Sequence, residues 1–263
     1  MIRAIFTVSF AIFFLLTLFM YLFQRQLIYF PSKEIPSPQL FQAKDMHEIE
    51  LKTADGLRLI AWYKPAFANQ PTLLFLHGNA GHIGHRMPLI REFLSAGFGV
   101  LLLEYRGYGG NEGKPTEAGF YMDARAAMLF LAQQGLASKK IVLYGESLGT
   151  AVATKMASEF PVCALILQSP FTSLPAVARY HYPWIFITPQ DKYNSLVLIP
   201  SLKMPLLIFH GKDDQIVPYS QGLELYNQAN EPKKMISIEN RGHIFEVSDF
   251  IDEVRSFIQS GCS

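Results

Sequence analysis

Apolar and polar positions alternate with three different rhythms along the chain. Residues 4–23 (AIFTVSFAIFFLLTLFMYLF) carry no charge. They are apolar all round, without the one-sided stripe of a helix that packs on a core. As a helix rising ~1.5 Å per residue, such a run crosses ~30 Å of hydrocarbon. A cleaved signal peptide has a shorter apolar stretch that ends in a small-x-small site. Here the run ends in large residues and passes into QRQLIYFP, so an uncleaved single-pass anchor is expected. Arg3 precedes the span and Arg25 and Lys33 follow it, so the side of the membrane stays open; the short N-terminal tail favours an inside N-terminus.

Residues 31–45 (PSKEIPSPQLFQAKD) hold three prolines among mixed polar positions, the composition of an extended connector. HEIELKT and LRLIAWYKP, separated by ADG, read as an antiparallel strand pair. The alternation then gives way to short continuous apolar runs: TLLFLHG, FGVLLLEY, KIVLYGE, VCALILQS, MPLLIFHG and KKMISIE. Runs of this kind predict strands buried on both faces of a mostly parallel sheet. Helical segments are predicted at residues 85–96, 117–135, 148–159, 219–229 and 246–259. The pattern predicts an α/β fold of eight strands with helices on both faces and right-handed crossovers. Residues 170–204 break it with four internal prolines and many aromatics, predicting an insertion over one end of the sheet. The expected division is an anchor at 1–25, a connector at 26–45 and a folded domain at 46–263.

With 23 basic and 22 acidic residues in 263, the formal net charge of +1 gives no field that favours nucleic acid. The two cysteines, Cys163 in an apolar run and Cys262 beside the C-terminus, form neither a disulfide framework nor a metal cluster by their pattern. Cys163 is expected in the core and Cys262 as a bystander. His82 and His85 have no cysteine or carboxylate near them in sequence, so they are expected as polar residues at a helix start rather than metal ligands. No cofactor motif is present.

Ligands of open parallel sheets bind beyond the carboxyl ends of the strands, which directs attention to the residues there. Gly145-Glu146-Ser147-Leu148-Gly149 joins a buried run to a small-residue helix. A serine on so sharp a turn needs glycines two places away on either side, because larger side chains would collide. Its hydroxyl attacks a carbonyl only with a base beside it and a carboxylate to orient that base. His243, in NRGH, and Asp214, in HGKDDQIVP, supply these in the order Ser, Asp, His. Asp213 competes with Asp214, which has the better place as the fifth residue of the run; the pair stays open. The N–H groups of Leu148 and of Asn79, in HGNAG, are the expected oxyanion donors. Taken alone, HGNAG would also serve as an ordinary Gly-rich loop. Glu104 and Arg106 are expected to fix loops through an ion pair, and His181 to be a pocket or surface residue.

Together FLHGNAGH, EYRGYGGNEGKPTE, YGESLGT, HGKDDQIVP and NRGH, across residues 46–260, resemble the α/β-hydrolase superfamily. The leading span with QRQLIYFP, HGNAG and YRGYG looks like its membrane-anchored, Bem-type, depalmitoylase-like group. The resemblance implies the α/β-hydrolase fold, with Ser147 as nucleophile, His243 as base, Asp214 as acid, and Asn79 and Leu148 as oxyanion donors. It also implies hydrolysis of a carboxylic ester or thioester through an acyl-serine. Glu104 stands where this group more often has aspartate. Phe171, Tyr180, Tyr182, Trp184, Phe186 and Tyr193 could line an acyl pocket or simply pack the insertion. The expected partners are a membrane and a small-molecule or lipid-like acyl substrate, or an acylated protein, with no metal, cofactor or nucleic acid. The same triad would serve an acyltransferase or a serine peptidase. A silent binding module would be expected to lack a triad member, and none is missing.

Overall fold

A computed structural model describes residues 2–184, 187–245 and 250–262. The charge-free run forms α1 (Ile2–Ile28), long and apolar enough to cross a membrane, and β1 (Phe30–Pro31) follows it. The hairpin comprises β2 (His47–Lys52) and β3 (Arg58–Lys64). Next come β4 (Thr72–Leu76), the short β5 (Ala80–Gly81), α2 (Met87–Ser95), β6 (Gly99–Leu103), α3 (Glu117–Gln133), β7 (Ile141–Glu146), α4 (Leu148–Glu159) and β8 (Ala164–Gln168). The insertion carries α5 (Leu174–His181) and α6 (Ser195–Leu198). The chain finishes with β9 (Leu206–Gly211), α7 (Tyr219–Gln228), β10 (Lys233–Ile238) and α8 (Ile251–Gly261). Residues 246–249, the expected start of the last helix, lie outside the described residues.

Among the described residues the main sheet has eight strands, ordered β10-β9-β8-β7-β4-β6-β3-β2. Only the β2–β3 and β3–β6 pairings are antiparallel. The continuous apolar runs are explained by the layers. Leu74, Leu76, Leu143, Leu165 and Ile208 pack with Phe120 and Ala124 of α3 and Val152 of α4. Their neighbours Leu73, Phe75, Val142, Ile166 and Phe209 pack on the other face with Ile90 and Phe93 of α2 and Val254 and Ile258 of α8. Because side chains alternate across a strand, both sets must be apolar when both faces are covered. Burying one such side chain, Phe75 for example, contributes about 1.5–3 kcal/mol.

Local capping explains where helices begin. Thr116 Oγ1 accepts from Gly119 N–H at the start of α3, and Ser173 Oγ from Ala176 N–H at the start of α5. His82 does the same through Nδ1, accepting from Gly84 N–H to open a turn before α2. The His82 and His85 rings stack 3.9 Å apart.

Two expectations are corrected. Cys262 is not a bystander: it forms a disulfide with Cys163, 99 positions earlier, because α8 packs on the sheet face beside the start of β8. The segment after α1 packs on the domain. β1 pairs in parallel with β5, Lys33 Nζ donates to the Gly107 carbonyl at 2.9 Å, and Ala43 is fully buried. α1 itself runs to Ile28. Glu104 and Arg106 do not pair with each other. Leu103 of β6 sits beside Leu76 of β4, which brings Glu104 next to His77. The guanidinium of Arg106 instead forks between Asp55 and Asp123, with both of its closest contacts at 2.7 Å.

Candidate active site

From β4 the chain goes to β6 on one side and later returns to β7 on the other, opening a crevice above β4 and β7. A ligand site is expected at such a switch point. Ser147 follows β7 there with φ 50° and ψ −115°, a conformation costly for a side chain bearing a Cβ. Gly145 and Gly149 make the turn possible: a Cβ on Gly145 would meet the Thr150 backbone, and one on Gly149 would overlap the carbonyls of Leu76 and His77. The close approach lifts the serine hydroxyl above the sheet edge.

The Ser147 hydroxyl donates to His243 Nε2 at 2.8 Å, and His243 Nδ1–H donates to Asp214 Oδ2 at 2.7 Å. The carboxylate at Nδ1 selects the tautomer that leaves the Nε2 lone pair facing the serine. Asp214 Oδ1 accepts from the N–H groups of Ile216 and Val217, both at 2.8 Å. His210 Nε2 lies 3.3 Å from Asp214 Oδ2 and 2.9 Å from the Val217 carbonyl. Burial pushes the Asp214 carboxyl up, but the bonds from His210, His243 and Val217 prevail and hold it well below the usual carboxylate range. Asp213 is exposed, and it is Asp214, not its neighbour, that meets the histidine.

Leu148 opens α4, so its N–H has no acceptor within the helix and lies at the positive end of the helix dipole. The Gly78–Asn79 peptide follows β4 and lies beside the serine: a Cβ on Gly78 would come 3.4 Å from that of Ser147. His77 Nδ1–H donates to the Gly78 carbonyl at 2.8 Å. Because that peptide is trans, fixing its carbonyl fixes the opposite direction of the Asn79 N–H. The Asn79 carbonyl is held in turn by Phe30 N–H at 2.8 Å and the Tyr108 hydroxyl at 2.7 Å. His77 Nε2 lies 3.1 Å from Glu104 Oε1, off the line of a straight hydrogen bond, and both groups are buried.

A cavity of about 800 Å³ opens from Ser147 and Leu148. Phe171, Leu174, Val177, Tyr182, Ile216 and Val217 line it, and His181, bonded to the Ile216 carbonyl, stands at its wall. Of the aromatic candidates, Phe171 and Tyr182 reach the cavity. Trp184 does not: it is half exposed and meets Tyr182 edge-on at 6.2 Å. Tyr180 is exposed and Tyr193 is buried against Tyr29. Phe186 lies outside the described residues. Two features were missed from sequence. Arg86 clamps Glu146, the residue before Ser147, at 2.9 and 3.1 Å. Met20, Tyr21, Gln24, Leu27 and Ile28 of α1, with Phe30, form one side of the cavity. The 60 positions between Arg86 and Glu146 carry no pattern, whereas QRQLIYFP was visible as an unusual sequel to an apolar span. No group of three or more potential metal ligands occurs among the described residues.

The alpha/beta hydrolase fold family matches residues 71–188. Protein bem46 of Schizosaccharomyces pombe is 36% identical over 234 residues, covering 82% of this chain and 78% of bem46. Lysophosphatidylserine lipase ABHD12 of Danio rerio is 36% identical over 200 residues, 66% of this chain and 51% of that protein. Among solved structures, the esterase Pf2001 of Pyrococcus furiosus superposes with a TM-score of 0.74 at 23% identity, over 89% of this chain and 100% of the esterase chain. At that identity the likeness is one of fold.

Proposed function

The chain belongs to the α/β-hydrolase superfamily, in the esterase- and lipase-like Bem-type group, and from that premise we propose that it is a membrane-anchored serine hydrolase of acyl esters or thioesters. The observation that carries this reading is the unbroken hydrogen-bonded line from Ser147 through His243 to Asp214, at the mouth of a mostly apolar cavity. In the proposed reaction His243 Nε2 takes the Ser147 proton as Oγ attacks the substrate carbonyl. The oxygen that gains charge is met by the N–H groups of Asn79 and Leu148. His243 returns the proton to the departing alcohol or thiol, leaving an acyl-serine, and water activated by the same imidazole releases the acid.

Retention of α1 as an anchor is supported by its contacts. Arg25 and Tyr29 both bind Asp191 of the insertion, at 2.9 and 3.0 Å, which fixes the end of α1 to the domain. The Cys163–Cys262 disulfide supports an orientation with the N-terminus inside and the domain on the oxidising side.

The test is fluorophosphonate labelling of the full-length chain, with the modified peptide located by mass. Label on Ser147 that vanishes in Ser147→Ala and His243→Ala is expected. Turnover of an acyl ester by Ser147→Ala should fall on the order of 10⁶-fold if the triad acts as a unit. A merely tenfold loss would rule out Ser147 as nucleophile.

A further inference from the structure

The reaction steps above give no role to QRQLIYFP, yet this segment is fastened both to the insertion and to the oxyanion loop. At the insertion, Gln24 Oε1 accepts from Gln190 N–H at 2.6 Å, and Arg25 grips Asp191 at 2.9 and 3.2 Å. Asp191 is only 4% exposed and also accepts from the Tyr29 hydroxyl and from Glu117 N–H, at 3.0 and 3.1 Å. At the oxyanion loop, the Ile28 carbonyl accepts from Asn79 Nδ2 at 2.7 Å, and Phe30 N–H donates to the Asn79 carbonyl at 2.8 Å. A simple tether would need neither fastening.

Along and just before this segment Met20, Leu27, Ile28 and Phe30 line the same space as Ser147, with Val177 and Ala178 of α5 among the other lining residues. Met20 belongs to the charge-free run. From Ile28 to Met20 the cavity therefore climbs about 12 Å along the helix axis, into the stretch suited to hydrocarbon. An acyl chain lying there is continuous with the bilayer and need not cross water to reach the serine.

We propose that the last turns of α1 are a wall of the acyl site, and that this site takes the fatty acyl chain of a bilayer-resident amphiphile. The chain enters sideways between α1 and α5 and brings its carbonyl to Ser147. The inference rests on the serine-hydrolase reading. Arg25 and Asp191 are positioning residues that hold the wall in place, and Asn79 links the wall to the oxyanion donors. Chain-length preference then depends on side chains of the anchor as well as on those of the domain.

The experiment uses the full-length chain in phosphatidylcholine vesicles, with palmitoyl and acetyl esters of one chromogenic alcohol as probes. Met20→Trp and Leu27→Trp fill the wall from a helix outside the domain core, so folding of the domain is preserved. Each should lower the palmitoyl-to-acetyl ratio of kcat/KM on the order of tenfold, the effect of displacing about two methylenes. Phe14→Trp, on the same helix and away from the cavity, should leave the ratio unchanged. Equal ratios for all three variants, with Ser147 still labelled by fluorophosphonate, would overturn the wall and leave serine hydrolysis standing. A full-length chain that takes no label at Ser147 would remove the serine-hydrolase reading, and the wall falls with it.

Discussion

At the residue scale, the two adjacent aspartates of HGKDDQIVP show how environment assigns a role. Asp213 is exposed, while Asp214 is buried, bonded by two N–H groups and directed at His243. An amide in place of the Asp214 carboxylate would still fill the site but would disfavour the tautomer that faces Ser147. Asp214→Asn should lower kcat by about 10³–10⁴-fold, and Asp213→Asn should stay within about twofold. Steady-state rates on one soluble ester compare the two directly. Both aspartates were legible in the sequence, with the fifth place of the run favouring Asp214. The His210 contact beneath it was not, because a buried histidine and an exposed one look alike in a motif.

At the element scale, α8 is held by chemistry as well as by packing. Val254 and Ile258 are fully buried on the sheet, and Cys262 just past its end is bonded to Cys163. A crosslink closing a separation of 99 residues removes much of the unfolded chain's freedom. Cys262→Ser should therefore cost about 2–4 kcal/mol of stability, read by denaturant unfolding under oxidising conditions. The same titration with reductant should bring the unchanged chain to the variant's midpoint. A helical segment at residues 246–259 was expected from the sequence, and α8 covers Ile251–Gly261. The disulfide was not expected, since two cysteines so far apart share no spacing rule.

For the whole molecule, carboxylates fastened to cations or to histidines set its tolerance of acid. The Arg106 guanidinium holds the Asp55 carboxyl down to about 2. Bonds from Arg91, with Lys64 beside it, hold Asp45 well below the usual range, and Asp214 is depressed as well. A carboxyl depressed in the fold stabilises it above the unfolded value near ~3.9 and loses that contribution as pH falls through the folded value. These carboxyls should make resistance to denaturant fall as pH drops between about 4 and 2, while Asp123, which burial pushes up to about 6, works in the opposite sense between about pH 4 and 6. Asp55→Asn should flatten part of that slope, and a series of urea midpoints against pH would measure it. A constant midpoint across the window would contradict the assignment.

The sequence by itself determined the layers, the strand ends and the Ser, Asp, His order. These rest on local signals: apolar runs for strands covered on both faces, and glycines where backbone crowds backbone at Gly149. Tertiary structure alone decided which distant groups meet. It joined Cys163 to Cys262, set Glu104 beside His77, turned Trp184 out of the cavity and laid the end of α1 along it, with Arg25 reaching Asp191 across 166 positions. Such contacts follow from how elements pack in three dimensions, and packing distance leaves no period along the chain for a sequence to display.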